Sequence, residues 1–135
     1  MLRNRLRKAV RDWCDKEYPK KLEMHHDKRF RPLVNNRCQM NASSTVAQGD
    51  AVAVVEVVMI HDDCCTLHYI NLDDQGRYFD ATLGYEYLDS DYRLIRIFRE
   101  LPGFSCDHLN SEKERICKEA LGKWKYRLHD PLDLL

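Results

Sequence analysis

Residues 51–60, AVAVVEVVMI, constrain this chain more than any other stretch. Six of the ten are Val or Ile, and no polar alternation interrupts them except at Glu56. β-Branched side chains suit a pleated strand, and a strand apolar on both faces has to be covered on both. This run therefore predicts a central strand with material packed on each side. Glu56 is expected at a strand end, at an edge, or in a site as a second carboxylate, and a structural placement is the expectation.

Residues 66–84, TLHYINLDDQGRYFDATLG, supply the neighbouring strands. Period-two segments rich in Tyr, Ile and Phe flank the polar Asp73-Asp74-Gln75-Gly76, which is a hairpin signal. A three-residue loop with Gly76 in the left-handed conformation, and paired positions summing to 148, sets His68 opposite Asp80. Opposed residues share a face with Cβ atoms about 5 Å apart. A carboxylate there can accept the imidazole Nδ1–H and leave the other nitrogen free as a base. A slip of one residue would put Tyr69 opposite Asp80 instead.

A base with its orienter needs a nucleophile, and Cys38 lies upstream in NNRCQMNA. Asn35 or Asn36 can cap a helix starting near Arg37 or Cys38. That helix is expected to run through Met40, Ala42, Ser43 and Val46 and to stop at Gln48-Gly49. A cysteine in the first turn meets unpaired backbone N–H groups and the positive dipole end, which stabilise a thiolate. A catalytic set of Cys38, His68 and Asp80 follows, with Asn36 or Gln39, or the Cys38 N–H, as donor to an oxyanion.

Taken in order, this Cys, the His on a strand and the Asp after a turn resemble the transglutaminase-like and papain-like thiol superfamily. The HYINLDDQGRYFDATLG segment carries most of the likeness, which covers roughly residues 35–83. The resemblance implies an α+β fold, a small antiparallel sheet of about four strands packed against helices. It also implies thiol-dependent acyl transfer (amidase, deamidase, peptidase or transamidase) through the Cys38-His68-Asp80 triad. An amide-containing small molecule or a protein side chain is the implied substrate. A non-catalytic protein-binding domain with the same fold is the alternative reading.

Elsewhere the chain yields structure before chemistry. Leu2, Leu6, Ala9, Val10 and Trp13 recur at helical spacing, predicting an amphipathic helix that ends near Tyr18-Pro19. Residues 19–32 are polar and irregular, suited to wrapping the core or covering the thiol. Tyr92 to Phe98 predicts a strand whose arginines break the alternation, as at an edge. Ser111 with Glu114 suggests a capping box ahead of a helix striped by Ile116, Cys117, Ala120, Leu121, Trp124 and Leu128. The apolar tail HDPLDLL could dock on the domain or on a partner.

At 135 residues the chain is long enough for one domain, residues 1–135, with a single core. The net charge of zero hides an asymmetry. Residues 1–31 carry 11 basic and 5 acidic side chains, whereas residues 50–91 carry 10 acidic and one basic. The acidic block holds His68 and Asp80, so it raises the histidine pKa and disfavours nucleic acid on that face. No apolar run of about 18 residues offers a membrane span, and no signal peptide is evident. Six cysteines without export imply reduced thiols in the cytoplasm. His61, Cys64, Cys65 and His68 are zinc-ligand types, as are His25-His26 with Asp27. The absence of a second Cys-x-x-Cys pair argues against a site, and no metal or cofactor is expected.

Overall fold

The apolar run forms strand β1, Ala53–Ile60, in which every residue is buried. The computed structural model describes residues 1–26, 38–83, 89–100, 106–125 and 133–135, and only the backbone at 106, 107 and 123–125. The fold is α+β. Helix α1 (Leu2–Glu17) and helix α2 (Cys38–Ala47) precede β1, and β2 (Cys65–Leu72), β3 (Tyr78–Phe79) and β4 (Asp91–Phe98) follow it. Helix α3 (Cys106–Lys125) comes next. The strands form one antiparallel sheet in the order β3-β2-β1-β4, so β1 is internal.

Two apolar layers coat β1, one on each face. Val55, Val57 and Met59 point inward with Ile70, Leu72, Tyr92 and Leu22, while Val58 and Ile60 point outward into the core shared with the helices. Residues 20–25 explain how the inner face is sealed. Leu22 donates its N–H to Tyr92 O on β4 (2.8 Å), and His25 donates to Tyr78 O on β3 (2.7 Å). In a flat sheet β3 and β4 would lie three strand spacings apart, about 14 Å. Residues 21 to 24 span about 10 Å at most. The sheet is therefore curled, with the strap stitching its two edges together and plugging the interior with Leu22.

Local chemistry accounts for the remaining elements. α2 ends in a Schellman motif: Asp50 N–H donates to Thr45 O and Gly49 N–H to Val46 O, with Gly49 at φ +83°. In β4 the register shifts between Glu56 and Val57, leaving Ile95 as a bulge residue. The bulge puts Arg93 and Arg96, three residues apart, on one face, which is why the strand does not alternate. The helix of the first segment buries Leu6, Val10 and Cys14, but Leu2 is half exposed and Ala9 faces solvent, so its stripe is narrower than expected.

Helix α3 departs further from expectation. It starts at Cys106, so Ser111 and Glu114 sit exposed inside it and form no cap at its start. Ile116 and Cys117 are fully buried, Ala120 and Leu121 pack against the same core, and Gly122 (φ 79°) breaks the helical path. The side chain of Trp124 and all of Leu128 lie outside the described residues. Leu134 and Leu135 dock on the chain's own core, between α1 and α3.

Candidate active site

The hairpin delivers two of the predicted site residues, by a register that differs from expectation. The loop is the expected three residues, 74–76, with Gly76 at φ +78°, and Asp73 N–H donates to Arg77 O (2.9 Å). The pairs are Asn71 with Phe79 and Leu72 with Tyr78, summing to 150 and not 148. His68 and Asp80 are consequently diagonal, not opposed. An even offset keeps both on the inner face, whereas an odd one would have separated them. The imidazole Nε2, not Nδ1, lies 2.7 Å from Asp80 Oδ2. Nδ1 is left for the thiol.

β3 covers only the end of β2, and this brevity makes room for the nucleophile. Backbone donors alternate along a strand, so the N–H groups of Tyr69, Asn71 and Asp73 all face the β3 side. At Tyr69 no strand among the described residues is paired there, and the start of α2 fills the place. Two side-chain amides fasten it: Asn71 Nδ2 donates to Ala42 O (2.9 Å) and Ala53 O (3.2 Å), and Asn41 Nδ2 donates to Thr82 Oγ1 (3.0 Å). Cys38 then sits against Ala42, Val54 and Tyr69, 9% exposed. Gln39 is buried beside it, its Oε1 3.7 Å from the sulfur. Asn36 lies outside the described residues.

Electrostatics at this spot favour a thiolate–imidazolium pair. Burial raises the Cys38 pKa, but His68, together with the N–H groups of Tyr69 and Gln39, outweighs it and leaves the thiol below its ordinary value. For His68 burial lowers the pKa, and Asp80 and Cys38 more than reverse this, to about 9. Asp80 is pushed up by burial and held below the carboxylate range by His68, the Leu83 N–H and the Tyr92 hydroxyl. Its four hydrogen bonds are complete: Oδ1 accepts from Thr82 N (2.9 Å) and Leu83 N (3.0 Å), and Oδ2 from His68 and from Tyr92 Oη (2.7 Å).

Glu56 belongs to a different cluster. It lies mid-strand on the outer face, fully buried, accepting from Tyr69 Oη (2.7 Å), with Arg96 Nε 3.2 Å from its other oxygen. Burial pushes it up to about 7. The zinc-ligand types do not converge: Cys65 packs with Cys14 and Cys117, His61 meets Thr66, and His68 meets Asp80. Among the described residues no group of three or more His, Cys, Asp and Glu could hold a metal ion.

Tyr92, Asn71 and Asn41 are site residues the sequence reading missed. Asn71 had a signal, a lone amide inside the apolar Tyr69-Ile70-Leu72 run, where a buried polar group must find partners. A scan against protein-family models, a search of curated proteins and a search of solved structures find no match to this chain. No helix among the described residues is long and apolar enough to cross a membrane.

Proposed function

We propose that the chain is a thiol-dependent acyl-transfer enzyme built on a transglutaminase-like or papain-like core. One observation carries the reading: His68 Nε2 meets Asp80 Oδ2 at 2.7 Å, and the Cys38 and His68 pKa values are shifted in opposite directions, each with the other group among the causes. Many folded chains contain a Cys, a His and an Asp; this pairing of opposed shifts in one place is the mark of a tuned nucleophile.

In this reading the Cys38 thiolate adds to the acyl carbon of an amide. The carbonyl electrons move to oxygen, which the Gln39 N–H and the Gln39 side-chain amide receive, the amide turned to present Nε2–H to negative charge. His68 Nδ1–H protonates the leaving nitrogen as the C–N bond breaks, leaving a thioester on Cys38. Water or an amine, deprotonated by the now neutral ring, attacks the thioester and restores the thiol. Asp80 keeps the imidazole turned with Nδ1 toward sulfur throughout. A small amide or a protein side chain suits a chain of this size, and none of the five described cysteines is in a disulfide, which suits a reducing cytoplasm.

Mixing the protein with p-nitrophenyl acetate tests this. A burst of one nitrophenolate per chain is expected, absent in Cys38→Ala and at least about 100-fold slower in His68→Ala. Equal bursts from wild type and Cys38→Ala would remove the enzyme reading and leave the protein-binding one.

A further inference from the structure

The inner face of the curled sheet holds a buried polar side chain that the mechanism above leaves unused. Tyr92 stands at the start of β4, fully buried among Val55, Val57, Met59 and Leu72. Its hydroxyl donates to Asp80 Oδ2 at 2.7 Å, on the same oxygen that meets His68 Nε2, also at 2.7 Å. The two rings lie 6.3 Å apart, tilted by 47°. The strap holds Tyr92 from the backbone side, where Leu22 N–H donates to Tyr92 O.

We propose that Tyr92 is a positioning residue for the acyl-transfer reaction, occupying one lone pair of Asp80 Oδ2 so that a single direction is left for the His68 ring. The inference rests on the function proposed above. Asp80 Oδ1 is already committed to two backbone N–H groups, so the carboxylate plane cannot turn. With Tyr92 on one lone pair of Oδ2, the imidazole has one place to dock, and docking there aims Nδ1 away from the inner face of the sheet toward α2. Sharing the oxygen also draws negative charge off the bond to the ring. Imidazolium opposite a shared carboxylate oxygen is the stronger acid, which suits a group that must give its proton to a leaving nitrogen.

A phenol in an apolar interior needs an acceptor whatever its role, so the decisive readout is one that packing alone would not move. Site-resolved imidazole ¹⁵N NMR follows His68 in wild type, in Tyr92→Phe and in protein carrying 3-fluorotyrosine at position 92. Phe keeps the ring and removes one donor. The His68 pKa is expected to rise by about half to one unit, the worth of one ordinary hydrogen bond. The fluorinated phenol is a stronger donor and should move it the opposite way. The p-nitrophenyl acetate burst of Tyr92→Phe should slow several-fold. A wild-type His68 titrating near its ordinary value of about 6.5 would sink the acyl-transfer reading itself. A raised wild-type value that neither substitution moves would overturn the role of Tyr92 alone.

Discussion

Asp80→Asn removes one charge from the site while keeping its shape. With its oxygen in the place of Oδ1 an Asn still accepts from Thr82 and Leu83, and its Nδ2–H2 can donate to the Tyr92 hydroxyl, so the loss falls on the His68 ion pair. His68 is 5% exposed and its pKa stands at about 9 against an ordinary 6.5. With the higher value the ring is roughly 97% protonated at pH 7.5, and with the lower roughly 9%. Loss of Asp80 leaves Cys38 alone against burial, and a return of His68 to its ordinary value cuts the imidazolium population at that pH about tenfold. The sign of the stability effect follows from linkage. A folded pKa above the unfolded one means that folding takes up a proton, so this contribution is full below about pH 6.5 and is lost as pH rises through about 9. Its size is about 3 kcal/mol for a shift of about 2.5 units. Guanidinium denaturation of wild type and Asp80→Asn at pH 6 and pH 10 measures it. The stability difference should shrink by about 3 kcal/mol toward pH 10. A difference that is flat or grows with pH would refute the ion pair.

Two further perturbations probe the frame around the site. Glu56, raised to about 7 by burial, stabilises the fold below about pH 4.5 and loses that contribution as pH rises through about 7, so Glu56→Gln should be relatively more stable at pH 8 than at pH 5, by about 2.5 kcal/mol; equal differences in urea melts at the two values would contradict this. Asn71→Ala strips the buried amide that ties α2 to the sheet and should cost about 2 kcal/mol. Faster amide exchange confined to residues 38–47 would mark the released helix, and unchanged exchange there would contradict the tie.

The sequence carried the parts of this fold whose causes are local. Residues 51–60 declared a covered strand, Gly49 and Gly76 marked a helix stop and a turn, and both glycines have positive φ. Where a pairing partner is distant the sequence was mute. The strap has no strand pattern, because only two or three residues touch each edge of the sheet. Arg93 and Arg96 looked like broken alternation because a bulge cannot be seen from one strand alone. The Ser111 and Glu114 spacing misled, since the capping rule does not say whether a helix has already begun. At the site, the inner-face pairing of His68 with Asp80 survived a register error because the error was even. The ring nitrogen did not, because which one faces the carboxylate depends on side-chain angles set by Tyr92 and α2. Tyr92 itself reaches Asp80 across 12 residues of chain, beyond any local signal.

The most direct test of the central claim is the rate at which iodoacetamide modifies each cysteine, read by mass spectrometry across pH. At pH 6 an ordinary thiol of pKa about 8.5 is under about 1% thiolate. Cys38, though only 9% exposed, should react there well ahead of the more accessible Cys64, and His68→Ala should erase the lead. Slow modification of Cys38 at every pH, or a rate that climbs only near pH 8.5 as an ordinary thiol's does, would contradict a thiolate held by His68.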